Sequence, residues 1–127
     1  MKSLTNYTEQ ATTEAIDKAG AFFAFSTKQF NEAKKEGIKY CEAGAGLLCP
    51  VGEVVKLVDT LDTIHEEGIK QDIKENGIYK IIIRELYNYE CFYTGEIDDA
   101  ISALTSYKVT REQIAAAYRK ELPNSDD

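Results

Sequence analysis

The stretch Ile78-Tyr79-Lys80-Ile81-Ile82-Ile83-Arg84-Glu85-Leu86-Tyr87-Asn88 decides the fold class. Its centre, Ile81-Ile82-Ile83, is β-branched and suits a strand. Lys80, Arg84 and Asn88 nonetheless repeat every four residues, and so do Ile78, Ile82 and Leu86. That is the spacing of a helix with one apolar face. A helix is therefore favoured over residues 78–94, ending at Gly95. With this segment helical, the chain reads as α+β and predominantly helical, with five to six helices and a small β-hairpin near residues 38–49.

Upstream, residues 51–67 form the clearest helix. Val51, Val54, Val55, Val58, Leu61 and Ile64 or His65 make an apolar stripe, which Ile69 and Ile73 extend toward an Asn76-Gly77 stop. Gly68 is a candidate kink within it. Leu4, Tyr7, Ala11, Ala15 and Ala19 predict a first helix over residues 4–19, with Gly20 a candidate end. Ala21-Phe22-Phe23-Ala24-Phe25 fits either a continuation of that helix or a buried strand. Ser26 with Gln29 is a capping box opening a short helix that carries Phe30 and Ala33 inward, closed by Gly37. Ile38–Glu42 and Leu47–Cys49 pair as strands around Gly44 and Gly46, and Pro50 suits the first turn of the next helix.

Downstream, residues 96–106 and 110–121 predict two short helices. The first turns Ile97, Ile101 and Leu104 inward, and the second Ile114, Tyr118 and Leu122. Thr110 and Gln113 form a second capping box. Residues 1–122 are expected to be a single domain and residues 123–127 a frayed tail.

Composition narrows the function classes. The net charge of −7 opposes generic binding to nucleic acid, whose phosphates demand cations, and to anionic membranes. Three cysteines, an odd number, suit a reducing compartment. There is no signal-peptide core and no apolar run near the roughly eighteen residues of a membrane span. The expected location is the cytoplasm, that of the host if the chain is phage-encoded.

Catalytic motifs are lacking. Cys41, Cys49 and Cys91 contain no close pair of the zinc-binding kind and read as small buried hydrophobes. His65 is followed by Glu66 and Glu67 but has no second histidine four residues on, so a packed structural histidine is the leading reading. Gly44, Gly46 and Gly52 surround a helix start without the Lys-Ser or Lys-Thr of a phosphate loop. No catalytic residue, metal or cofactor is expected. The last two helices, joined by Ser106-Tyr107-Lys108-Val109, resemble a helix-turn-helix in outline. Lys108, Arg111, Arg119 and Lys120 are their only cations.

Charge is unevenly spread. No Lys or Arg occurs between Arg84 and Lys108. That stretch interleaves acids with rings, which makes Glu85, Tyr87, Tyr89, Glu90, Tyr93, Glu96, Asp98, Asp99 and Tyr107 the candidate binding residues. Such a surface suits a basic partner. The competing reading buries the rings in the core and leaves the acids to solvate the outside.

Phe22-Phe23-Ala24-Phe25-Ser26, Ala43-Gly44-Ala45-Gly46-Leu47-Leu48-Cys49-Pro50, Glu66-Glu67-Gly68-Ile69-Lys70-Gln71-Asp72, Arg84-Glu85-Leu86 and Cys91-Phe92-Tyr93-Thr94-Gly95 resemble a family of small uncharacterised proteins of phages and mobile elements. The resemblance spans roughly residues 21–120. Where that family often has His after Asn, this chain has Tyr89, which counts against a family-wide histidine function there. The resemblance implies a phage or prophage setting and brings no activity, catalytic residue or cofactor with it.

Together these features point to a small acidic phage-type binding protein. It would inhibit a host defence nuclease in the manner of an anti-CRISPR, by protein contact or nucleic-acid mimicry. The expected partner is a protein with a basic surface. Direct nucleic-acid binding and membrane binding are disfavoured, and the long stripe of residues 51–73 would serve a homodimer as well as a core. A helix-turn-helix-like nucleic-acid-binding accessory protein is the first alternative, and a small enzyme using Cys or His is the second.

Overall fold

The computed structural model describes residues 1–125. The chain divides into two compact units, one formed by Ser3–Gly68 and the other by Met1–Lys2 with the chain from Ile69 onward. Among the described residues there are seven α-helices and one small antiparallel sheet, so the fold is α+β and mostly helical.

The first unit begins with α1 (Leu4–Ala19). Ser3 opens it, its backbone N–H donating to Asn6 Oδ1 at 2.9 Å. Gly20 closes it in the left-handed conformation at φ 73°, which glycine adopts at no steric cost. Phe22 and Phe23 then form β1, so the ambiguous run of rings after the first helix is in part a strand. Next come α2 (Thr27–Ala33), β2 (Tyr40–Glu42) and β3 (Leu47–Pro50). Ser26 Oγ accepts from Gln29 N–H at 3.1 Å, as the capping pattern predicts. The helix stops at Ala33, short of the predicted Gly37, because Lys34 already takes an extended backbone. Ala33 is exposed, whereas Phe30 packs edge-on to Tyr40 at 5.8 Å between centroids.

In the sheet β3 lies between β1 and β2. Proline is tolerated at the end of this central strand for a specific reason. Pro50 faces Tyr40, and the flanking ladder bond joins Val51 N–H to the Lys39 carbonyl, so the Pro50–Tyr40 pair is one that exchanges no hydrogen bond. Pro50 is therefore a strand residue, and the helix it was expected to open starts later. A 3₁₀ turn (Val51–Glu53) leads into α3 (Val54–Asn76).

The core of this unit is Ala21, Leu47, Cys49 and Leu57, with Ala15, Ile16, Ala19, Ala43, Val54 and Leu61 packed against it. The inward stripe of α3 is thus Val54, Leu57, Leu61 and Ile64. Val51, Val55 and Val58, placed inward by the sequence pattern, are exposed at 52%, 72% and 40%. Neighbouring valines at 54 and 55, and Leu57 beside Val58, offer two helical stripes one residue apart, and packing against the sheet selects the other one. His65, expected to be packed, is exposed on the same helix. Gly68 does not interrupt α3. It is buried, and a Cβ there would strike the methyl of Thr8 on α1.

The second unit takes the end of α3, then α4 (Ile78–Asn88), α5 (Cys91–Thr94), α6 (Asp98–Ala103), a 3₁₀ turn (Thr105–Tyr107) and α7 (Arg111–Glu121). The deciding stretch is helical, and Ile81, Ile82 and Leu86 are its buried residues. It does not run unbroken to residue 94. Glu90 adopts φ 54°, a left-handed conformation that ends one helix and starts another. Thr110 and Gln113 cap α7 reciprocally, at 3.1 and 2.7 Å. Ile114 and Ala117 are buried on it, while Leu122, predicted inward, is 38% exposed. Of the expected frayed tail, residues 123–127, Pro123 and Asn124 form a 3₁₀ turn with Leu122, and residues 126 and 127 lie outside the described residues.

Candidate functional site

The break at Glu90 shapes a groove on the second unit. The carbonyl of Glu85 accepts from Tyr89 N–H at 3.1 Å, and the backbone then reverses so that Glu90 opens α5. This reversal folds Phe92 back onto Tyr87, with centroids 4.8 Å apart, and stacks it on Tyr118 of α7 at 5.1 Å with the planes 5° apart. Tyr87 Oη also donates to Glu121 Oε1 at 3.4 Å. The result is an open groove of about 580 Å³ lined by Tyr87, Glu90, Phe92, Tyr93 and Ser125. Tyr93 projects from it at 90% exposure.

Of the candidate binding residues, the groove gathers Tyr87, Glu90 and Tyr93. Tyr89 is exposed but does not line it. Glu85 is partly covered, its Oε1 accepting from Arg84 Nε at 2.8 Å and from Asn88 Nδ2 at 3.3 Å. Glu96 is exposed, its backbone N–H donating to Thr94 Oγ1 at 3.2 Å. Asp98 and Asp99 occupy the first turn of α6, and Asp98 Oδ1 accepts from Arg111 Nη2 at 3.2 Å. That position favours negative charge at any helix start.

Tyr107 is the exception. It is buried, so it contributes nothing to an outer surface. Its hydroxyl donates to Asp72 Oδ2 at 2.5 Å. Asp72, completely buried, also receives Arg84 through two bonds of 2.9 Å and Asn76 Nδ2 at 2.7 Å. Arg84 Nη1 reaches the Lys2 carbonyl at 2.9 Å as well. Burial pushes the Asp72 pKa up, but the bonds from Arg84, Tyr107 and Asn76 outweigh it and hold the carboxyl below its ordinary value. Burial and the bond to Asp72 together push the Tyr107 hydroxyl well above a normal phenol. The Asp72 carboxylate thus accepts two bonds at each oxygen, which makes the network a buried structural fastening. Sequence reasoning missed it. The available signal was Asp72 itself, four residues past Gly68 on the inward stripe of α3, where an apolar residue is the default.

The remaining candidates do not converge. Cys49 and Cys91 are buried, and burial raises both thiols. Among the described residues no three His, Cys, Asp or Glu are placed to hold a metal ion. No helix among them is long and apolar enough to cross a membrane. Of the cations on the last helices, Arg111 is engaged by Asp98, and Lys120 lies over the Tyr79 ring at 5.0 Å.

No curated protein and no solved structure matches the chain. A family described as a family of unknown function (DUF7659) matches residues 4–122, well beyond the span of the motifs, and the chain belongs to that family.

Proposed function

We propose that this is a small binding protein, without catalysis of its own, that presents the Tyr87–Tyr93 groove to a basic protein surface. The observation that carries the reading is Tyr93, 90% exposed beside Tyr87 and Glu90 in an open groove. Amphipathic rings held out in water beside a carboxylate are what binding anchors look like before a partner arrives. The absence of cations between Arg84 and Lys108 supports a basic partner. The nucleic-acid cleft of a host defence nuclease has that chemistry, and inhibition of such an enzyme, in the cytoplasm of a phage-carrying host, is the specific form of the proposal.

The test is capture from host lysate at low salt with three baits: the native chain, Tyr93→Ala and Glu90→Lys. The expected result is a basic protein retained by the native chain, lost with both variants and released by salt. If the partner is retained equally by all three baits, the groove is not the interface. If the retained partner is acidic or is nucleic acid, the proposal fails.

A further inference from the structure

Cys41 and Cys49 stand directly opposite each other on β2 and β3. Ala43 N–H donates to the Leu47 carbonyl at 2.7 Å and Val51 N–H to the Lys39 carbonyl at 3.0 Å, two residues to either side. By the alternation of antiparallel ladders the two cysteines are also a hydrogen-bonded pair, with Cα atoms about 5.5 Å apart. Disulfides span Cα separations of about 4.4–6.8 Å. Opposed residues also emerge from one face of a sheet. The Cys41 thiol lies 3.7 Å from the Cys49 carbonyl oxygen. Cys49 is fully buried in the core of its unit, whereas Cys41 is partly open to solvent.

We propose that Cys41 and Cys49 are a redox pair that forms a reversible disulfide across the hairpin by exchange with a low-molecular-weight disulfide. The accessible Cys41 acts first. Its thiolate attacks one sulfur of the external disulfide, that S–S bond breaks, and the departing thiolate takes up a proton. Cys49 then gives up its proton and attacks Cys41 Sγ, which expels the second external thiol. The cysteine pair loses two electrons and two protons, and the external disulfide gains them as two thiols.

The order follows from access, because burial keeps the Cys49 thiol protonated and away from solvent. Opposed Cβ atoms in a bonded pair must approach by about 1 Å to reach disulfide geometry. β2 is three residues long and lies at an edge of the sheet, paired as a strand only with β3, so the approach needs no second ladder to yield. The crosslink would pin this edge of the sheet.

The test is incubation of the full native chain with oxidised glutathione, then alkylation under denaturing conditions and mass spectrometry. The expected product has lost two hydrogens, yields a Cys41–Cys49 linked peptide, leaves Cys91 alkylated and reverts with dithiothreitol. Cys49→Ala, which keeps a small apolar residue in the core, should stop at one glutathione on Cys41. Cys41→Ser should take up none. A native chain that accumulates only the glutathione adduct, links between molecules, or remains alkylated at all three cysteines overturns the proposal. Cys91→Ser should form the linked peptide as the native chain does, and its failure to do so would also count against the pair.

Discussion

Arg84 grips Asp72 as a fork, Nη1 on Oδ1 and Nη2 on Oδ2, each at 2.9 Å, across twelve positions of sequence. The carboxylate is wholly buried and the guanidinium nearly so. Removing one partner of such a pair leaves an uncompensated buried charge and costs about 3–5 kcal/mol. Arg84→Met is expected to lower the unfolding free energy by that order in urea titration. Arg84→Lys should recover little, because a point charge cannot make two parallel bonds. A loss under about 1 kcal/mol for Arg84→Met would show that Asp72 finds other donors.

The same network fixes the response to pH. The Asp72 pKa is depressed in the folded chain, so its contribution is present above the ordinary carboxylate value and is lost as pH falls through the lowered one. Tyr107 is raised, so its contribution is complete below about pH 10 and is lost as pH climbs from there through the folded value. Thermal melting should show decline at both ends, and Tyr107→Phe should flatten the alkaline side. An unchanged alkaline decline in Tyr107→Phe would assign it to other groups.

Gly68→Ala sets helix preference against space. Alanine favours a helix interior by about 1 kcal/mol over glycine. Its Cβ would meet the Thr8 side chain at this buried point of α3. Overpacking costs typically about 1–3 kcal/mol, so a net loss of stability is expected. The double variant with Thr8→Ser removes the obstructing methyl and should regain most of it. Chemical denaturation of the two variants measures the difference.

Glu90→Gly should stabilise the fold by about 0.5–1 kcal/mol. A left-handed residue with a Cβ carries a penalty of about 1–2 kcal/mol, partly offset by the greater chain entropy that glycine loses on folding. Glu90→Val should lose stability instead. Equal unfolding midpoints for the two would mean that the φ of 54° is not a source of strain.

Tyr93→Ala should leave stability within about 0.5 kcal/mol of the native chain, because the ring touches little. A larger loss in thermal melting would reassign Tyr93 to packing and remove it from the proposed interface.

The helical class was legible because Ile78, Ile82 and Leu86 share a period that three consecutive isoleucines do not erase. The hairpin was legible from glycines at 44 and 46 between two short apolar runs. The α3 stripe was read in part. Val54, Leu61 and Ile64 do face inward, but Leu57 was left out and Val55 and Val58 were included, since periodicity alone cannot choose between Val54-Leu57 and Val55-Val58. The groove was partly visible, as Tyr87, Glu90 and Tyr93 lie in the acidic, ring-rich stretch. Its shape depends on Tyr118 and on a backbone reversal at a glutamate, which no local propensity announces. Tyr107 was misassigned because its partner, Asp72, is 35 residues away.

The brevity of β1 bears on solubility. Phe23 and Phe25 stack in the open, 53% and 73% exposed, at a sheet edge of two residues. So short an edge offers a neighbouring chain too few free backbone groups to build on. Substitutions that extend β1 through Ala24 and Phe25 would lengthen that template while keeping its rings exposed. Aggregation, more than unfolding, is the hazard to guard against in engineering this end of the molecule.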